Sequence, residues 1–149
     1  MAVLIRSATA ADQKAITAIV RAARINPTGL DWRRFVVAEE RGQIVGVGQV
    51  KPHYDGSREL ASLAVAPDRQ GQGIGSAIVR TLLAHAPGPL HLMCADRLEP
   101  YYARFGFRRL SRSEMPPYFR RMYWLARALA FVARVAGVRI QLSVMRRDA

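Results

Sequence analysis

Residues 59–76, which read ELASLAVAPDRQGQGIGS, decide the fold of this chain. The apolar run over Glu59–Ala66 has the length and composition of a central strand. A polar loop over Pro67–Gln72 follows it, and a helical pattern extends over Gly73–His85. The quoted stretch therefore predicts a strand, a glycine-rich loop and a helix in direct succession.

Such a junction is suited to binding phosphate. The first backbone N–H groups of a helix have no partner inside the helix, and the helix dipole adds partial positive charge at the same end. Together they hold an anion without the help of any particular side chain. Glycines at positions 71, 73 and 75 remove the Cβ atoms that would keep a pyrophosphate at a distance.

Three known phosphate-loop patterns compete for these glycines. The P-loop of nucleotide hydrolases needs a Gly-Lys-Ser/Thr sequence, and this stretch has no lysine. The dinucleotide fingerprint GxGxxG is closer, with Ser76 at the third glycine position and Asp96 as a mimic of the ribose-binding acid. However, that fingerprint begins directly after a strand, whereas four residues separate Ala66 from Gly71 here. The third pattern, Gln/Arg-x-x-Gly-x-Gly/Ala, is met by residues 70–75.

A second motif, YYARFGF at residues 101–107, follows about 30 residues later with a predicted strand between the two. With both motifs in this order, the sequence resembles the GNAT superfamily of N-acetyltransferases over most of its length. The resemblance implies an acetyl-CoA-dependent enzyme that transfers an acetyl group to a primary amine by direct attack. A non-catalytic domain that binds acyl-CoA on the same fold is the alternative.

The resemblance also implies how acetyl-CoA, the co-substrate, is held without a metal. Strands Leu60–Val65 and Leu90–Ala95 would be parallel and splay apart at their carboxyl ends. The pantetheine arm would lie in that gap and pair with the backbone of Leu63, Ala64 and Val65, like an added strand. The residues expected to hold the pyrophosphate are Gln70, Gly71, Gln72, Gly73, Ile74, Gly75 and Ser76.

The expected chemistry needs a base for the amine, a donor for the oxyanion and an acid for the thiolate. By the family motif, Tyr102 is the acid, and a backbone N–H near Val65 serves the oxyanion. Glu59 is the candidate base, acting through water. His53, in the loop before that strand, is a weaker candidate, because a lone loop histidine is more often simply solvated.

One position departs from the family pattern. Many members carry an asparagine seven residues before the tyrosine, and here that position is Ala95. Either Asp96 takes its place or nothing does. Cys94 is expected to be a small buried residue. Arg69 and Arg104 lie near the two motifs; either could add charge to the cofactor's phosphates, but we expect both to be solvated.

The rest of the chain predicts a single α/β domain over residues 1–149. Its mixed central sheet, with the splayed parallel pair, is flanked by helices, and an extra helix over Tyr118–Ala136 precedes a last strand over Val138–Arg146. Arginines seven residues apart form one stripe on this helix, opposite a wide apolar face. We expect that face to pack on the protein's own sheet, as a lid or in a homodimer, more than on a membrane surface. The stripe is Arg120, Arg127 and Arg134; the apolar face is Tyr118, Met122, Leu125, Leu129, Val132 and Ala136.

Composition narrows the remaining classes of function. The formal net charge is +12, but the arginines are dispersed and not interleaved with aromatic residues, so no nucleic-acid partner is expected. Neither a signal peptide nor a membrane-spanning run is expected, and one cysteine without a partner points to the cytoplasm. The acceptor, a small-molecule amine or a protein amine, is not readable from the sequence.

Overall fold

The computed structural model describes residues 2–139 and 141–149, which form two compact units. The first unit comprises the chain up to Lys51 together with Leu60–Pro87. The second comprises Pro52–Glu59 together with Gly88–Ala149.

The first unit has four strands and two helices, and its first three strands are paired antiparallel. Its strands are ordered β1-β2-β3-β4. The helices present apolar residues at helical spacing, and Ile16 and Val20 of the first helix are fully buried beside Val37 and Val47. The elements are β1 (Leu4–Ser7), α1 (Gln13–Ala22), β2 (Phe35–Glu40), β3 (Gln43–Pro52), β4 (Arg58–Val65) and α2 (Ile74–His85).

Strands β2 and β3 form a hairpin. Glu40 pairs with Gln43, and the two residues between them, Arg41 and Gly42, have positive φ angles of 52° and 77°. Two central residues with positive φ are the mark of the hairpin turn whose twist matches that of the flanking strands.

The second unit includes the first two residues of β4, Arg58 and Glu59, and three further strands. Its remaining elements are β5 (Leu90–Ala95), α3 (Glu99–Ala103), β6 (Arg108–Arg109), α4 (Pro117–Val135) and β7 (Leu142–Arg147). Glu59 of β4 lies opposite His91 of β5 in a parallel pair, while β7 is antiparallel to both β5 and β6. The order is therefore β4-β5-β7-β6, and the seven strands found among the described residues are mixed in direction.

The predicted fold class is confirmed: an α/β protein whose mixed sheet includes the parallel β4–β5 pair, with flanking helices and an extra helix before the last strand. Two further expectations, the divergence of the two parallel strands and a single domain over residues 1–149, stay predictions.

The last strand begins later than the sequence pattern indicates. Val138 precedes β7 by four residues, because the chain first has to end α4. Gly137, at φ 83°, donates its N–H to the carbonyl of Arg134, and Val138 donates to that of Ala133 at 2.8 Å. This glycine-based cap turns the chain out of the helix. Val138 fits the apolar alternation of a strand, but its N–H is used to close the helix.

The expectation that the apolar face of α4 packs on the protein's own sheet is wrong for its central residues. Leu125, Leu129 and Val132 are 58%, 68% and 66% exposed. Phe119, in the first turn, is the buried residue of this helix. Among the described residues, no helix is long and apolar enough to cross a membrane.

A buried carboxylate ties the start of the first unit together. Asp12 accepts two hydrogen bonds from Arg6, at 2.8 and 3.1 Å, and one from the N–H of Thr9 at 2.8 Å. Arg6 also donates to Glu39 of β2. The hydrogen bonds from Arg6 outweigh the effect of burial and lower the pKa of Asp12 to about 2.

We predict that Asp12→Asn lowers the free energy of unfolding by about 1–3 kcal/mol at neutral pH, because it removes a charged partner from a buried network. The native pKa lies below the ordinary value of 3.8, so this stabilisation is complete above about pH 4 and is lost as the pH falls towards about 2. Urea titrations across this range should show the gap to the native protein narrowing. Asp68→Asn, at an exposed loop carboxylate, is the control; a gap unchanged down to pH 3 would contradict the prediction.

Candidate active site

The glycine-rich loop opens the start of α2 to solvent. The chain leaves β4 through a short 3-10 turn over Pro67–Arg69, and Gly71 and Gly73 adopt φ angles of +76° and +82°. Gly73 is the residue before the first helical turn, and no side chain caps that turn. A Cβ added at Gly71 or Gly73 would meet no atom within 4 Å. The space that an anion would need at the helix start is therefore clear of the neighbouring side chains of the first unit.

Two side chains fix the near edge of this loop. Arg69 donates to Glu40 at 2.5 Å and to Asp68 at 3.1 Å, so the expectation that Arg69 is merely solvated is wrong. The pKa of Glu40 is lowered, mainly by this hydrogen bond. Gln70 donates its side-chain amide to the carbonyl of Val65 at 3.1 Å. Gln70 thus braces the loop against the end of β4.

A left-handed residue within β4 was not foreseen. Ser62 has φ 57°, which L side chains rarely adopt, and its hydroxyl accepts a hydrogen bond from the fully buried Gln49 at 2.9 Å. Gln49 also donates to the carbonyl of Gly29. A residue of this conformation interrupts the regular strand and turns the backbone groups that follow it. Those groups belong to Leu63–Val65, the residues expected to pair with the pantetheine arm.

Tyr102 lies in α3, within the second unit. It is 8% exposed, and its ring meets those of Tyr101 and Phe107 edge to face, with centroids 5.0 and 6.2 Å away. Burial is the main cause that raises its pKa, with the neighbouring Cys94 adding to it. The hydroxyl therefore keeps its proton at neutral pH, as a general acid must.

Helix α3 is held in place from both ends. At its start, Glu99 accepts a very short hydrogen bond from the hydroxyl of Ser143 on β7. At its end, Gly106 has φ 90° and donates its N–H to the carbonyl of Ala103, which is typical of a residue that closes a helix. These contacts fix the orientation of the short helix that carries Tyr102.

His53 was expected to be a solvated loop residue, but it is buried against the candidate base Glu59. Its Nε2 lies 2.8 Å from the Oε1 atom of Glu59, and the two side chains are only 6% and 14% exposed. The ring of His53 stacks on Tyr118 with centroids 3.4 Å apart and meets the edge of Phe119. The expectation of a solvated histidine is therefore wrong, and the proposed base has an imidazole partner. A His at i and a Glu at i+6 is too common a spacing to have signalled this contact.

The loop that carries His53 is bound to the start of α4 by Asp55. This carboxylate accepts the backbone N–H of Tyr118 at 2.9 Å, and the N–H and hydroxyl of Ser57. Burial opposes its ionisation, but these hydrogen bonds outweigh burial and lower the pKa of Asp55. Asp55 thus acts as a cap for α4 from a distant loop, and places Tyr118 over His53.

Ala95 and Asp96, at the position that departs from the family pattern, lie at the end of β5 and the start of the turn that follows it. Ala95 ends β5, and the exposed Asp96 lines a cavity along α4 together with arginines. Cys94 is a buried free thiol, as expected, and burial raises its pKa to about 11. Arg104 is exposed and lies over the ring of Tyr101, 5.2 Å from its centroid.

The fold and this site can be compared with known proteins. A model of the acetyltransferase (GNAT) domain matches residues 31–109. A mycothiol acetyltransferase of Rhodococcus opacus is 35% identical over 86 residues, which are 58% of this chain and 28% of that protein. An amino-acid acetyltransferase of Ralstonia nicotianae is 30% identical over 110 residues, 70% of this chain and 24% of that protein. The chain spans less than a third of the length of these curated relatives.

Solved structures share the fold over nearly the whole chain. The N-acetylglutamate synthase of Neisseria gonorrhoeae, complexed with coenzyme A and N-acetyl-glutamate, has a TM-score of 0.74 at 21% identity and covers 99% of this chain and 35% of that one. The ribosomal-protein-alanine N-acetyltransferase of Brucella melitensis has a TM-score of 0.68 at 23% identity and covers 98% and 99%. These structures show the shared fold, and the family model, which matches more than half of the residues, shows that this chain belongs to the GNAT acetyltransferase family.

Proposed function

We propose that this chain is an acetyl-CoA-dependent N-acetyltransferase that passes the acetyl group directly to a primary amine. The observation that carries the proposal is the uncapped start of α2 behind Gly71 and Gly73, both left-handed and both facing open space. Backbone N–H groups at such a helix start suit a diphosphate, which is the anionic part of the co-substrate.

The co-substrate would use backbone groups almost throughout. The diphosphate would bind the N–H groups at the loop and helix start, over Gln70–Ser76. The pantetheine arm would pair with Leu63, Ala64 and Val65, whose backbone groups follow the left-handed Ser62. Since the carbonyl of Val65 already accepts from Gln70, the contribution of Val65 would come from its N–H, directed at the thioester oxygen.

In the proposed reaction, Glu59 takes a proton from the ammonium group through water, and the neutral amine attacks the thioester carbonyl. His53, hydrogen bonded to Glu59, orients the carboxylate and can pass the proton onward. Tyr102 then gives its proton to the departing thiolate of coenzyme A. The hydroxyl is protonated when the thiolate forms, although burial raises its pKa and makes it a weaker acid than an exposed tyrosine.

A non-catalytic acyl-CoA-binding domain is the second candidate. The observation that favours it is Ala95, where many family members have an asparagine that contacts the pantetheine. Turnover distinguishes the two candidates, because a binding domain would hold the co-substrate without transferring its acetyl group.

The acceptor is proposed only as a class. The relatives named above are acetyltransferases of mycothiol, of amino acids and of a ribosomal-protein alanine. We propose a primary amine on a small molecule or a protein, in a single domain over residues 1–149. The buried free thiol of Cys94 suits a reducing cytoplasm.

We predict that Gly71→Ala weakens coenzyme A binding by about tenfold or more. The methyl group enters the anion space, and an L residue disfavours the left-handed conformation by about 1–2 kcal/mol. Gly42→Ala is a matched control, because Gly42 also has positive φ and open space but lies in the β2–β3 hairpin. Both variants should lose similar stability in thermal melts, and only Gly71→Ala should lose affinity in calorimetric titrations. Equal affinity in the two variants would remove the loop from the proposed site.

We predict that Tyr102→Phe lowers kcat by about 10²–10⁴-fold and leaves coenzyme A affinity within about twofold, because it removes only the general acid. Tyr101→Phe, at the neighbouring ring, is the control and should keep near-native activity. Steady-state rates with acetyl-CoA and a panel of primary amines provide the measurement. A fully active Tyr102→Phe variant would assign this hydroxyl to packing.

We predict that Glu59→Gln lowers kcat/KM for the amine by about 10²-fold or more near neutral pH. Activity should recover as the pH rises, because the free amine then no longer needs the base. His53→Asn should show the same pH-dependent recovery with a smaller loss, of about tenfold. A pH-independent loss in both variants would instead mark a structural role for the pair.

A further inference from the structure

From Trp124 onward, helix α4 exposes large apolar side chains to solvent. Six of them, spread over three turns, are between 51% and 80% exposed: Trp124, Leu125, Leu129, Phe131, Val132 and Val135. Val138, just beyond the helix, is 52% exposed. From here on, the apolar face of α4 means this exposed set, which shares Leu125, Leu129 and Val132 with the face predicted from the sequence. A continuous exposed patch of this kind marks a contact surface, because isolated exposed apolar residues do not line up along a helix.

The reason for the exposure is that α4 turns its small side chains inward. Ala126, Ala130 and Ala133 are half-buried and spaced four and three residues apart, which places them on one side of the helix. Ala126 and Ala130 line a cavity beside β7. The usual arrangement of an amphipathic helix, with large residues inward, is therefore inverted over its second half.

One flank of the apolar face carries only positive charge. Arg120, Arg127 and Arg134 are seven residues apart and all exposed. No acidic residue occurs in the sequence between Glu114 and Asp148. Arg127 and Arg134 also line a cavity of about 350 Å³ together with Arg109 and Arg139, with Asp96 as the acidic residue of its lining. Four guanidinium groups around one carboxylate leave an excess of positive charge on this flank.

Three kinds of partner could cover the apolar face and its arginine flank: a second copy of the chain, a nucleic acid or a lipid surface. A second copy of the chain would bury the apolar face, but a symmetric contact would bring two arginine flanks together without acidic partners, at a net charge of +12 on each chain. A nucleic acid would satisfy the arginines and leave the apolar residues exposed to water. An anionic lipid surface satisfies both features, because acyl chains accept the apolar face and phosphates accept the arginines.

We propose that α4 lies in the plane of an anionic membrane surface, with the apolar face directed into the acyl region and the arginine flank at the lipid phosphates. The helix has 19 residues, about 28 Å, which is long enough for such a contact. Trp124 at the edge of the face is the side chain best suited to the headgroup level. This placement is independent of the transfer reaction and of the identity of the acceptor.

The test is binding of the full chain to lipid vesicles, followed by flotation and by tryptophan fluorescence. The protein has two tryptophans, so Trp32→Phe leaves Trp124 as the reporter. Vesicles of phosphatidylcholine with about 30% phosphatidylglycerol should bind at least about tenfold more tightly than phosphatidylcholine alone. Binding should shift the Trp124 emission to the blue and weaken as salt rises above about 0.1 M.

Two double variants separate the contribution of the apolar face to vesicle binding from that of the arginine flank. Leu129→Ser with Phe131→Ser should abolish binding to both kinds of vesicle, because it removes the centre of the apolar face. Arg127→Gln with Arg134→Gln should remove the preference for anionic vesicles. Arg21→Gln with Arg24→Gln, exposed arginines of the first unit, lowers the net charge equally and should bind as the native chain does. All these positions are exposed, so circular dichroism and thermal melts should be nearly unchanged.

Three results would overturn the proposal. One is equal or absent binding to the two kinds of vesicle. Another is an equal loss of binding in the two arginine pairs, which would reflect net charge alone. The last is a dimer in lipid-free solution that the Leu129→Ser and Phe131→Ser changes dissociate, which would assign the apolar face to a second copy.

Discussion

The helix start behind β4 is the constraint on which the proposed chemistry depends. A helix must satisfy its first N–H groups, and most helices do so with a polar side chain at the preceding residue. Here that residue is Gly73, which has no side chain and adopts a left-handed conformation. Arg69, the nearby cation, is paired with Glu40. The loop therefore offers backbone groups to an anion, while its charged side chains hold the loop itself.

A second set of contacts joins the proposed base to the outward-facing helix. Asp55 accepts the N–H of Tyr118 in the first turn of α4, Tyr118 stacks on His53, and His53 contacts Glu59. The same first turn continues into the helix that carries the apolar face. A change in how α4 is seated would therefore alter the packing around the His53–Glu59 pair. The outward-facing helix and the proposed base therefore share the packing of this first turn.

Much of the fold could be predicted because its signals are local. The strand and the helix on either side of the glycine loop end within one residue of the predicted positions, and the strand expected over Leu90–Ala95 is β5 with the same bounds. The start of β7 was predicted too early, because the alternation continues through residues whose backbone groups close α4. The burial of His53 and the pairing of Arg69 were predicted wrongly, because each depends on a partner brought near by folding. Ser62 gave no signal at all, since its left-handed conformation is supported by Gln49, thirteen residues earlier on another strand.

By itself, the sequence determined the succession of strand, glycine loop and helix, the two motifs of the family, and the residue types available for acid and base chemistry. These follow from local periodicity and from the unique conformational freedom of glycine. Tertiary structure alone decided that Glu59 has an imidazole partner, that Asp55 caps a helix far along the chain, and that α4 turns alanines inward and large apolar residues outward. The physical reason is that hydrogen bonding and burial depend on neighbours in space. An amphipathic pattern predicts which residues share one side of a helix, but not which part of the protein packs against that side.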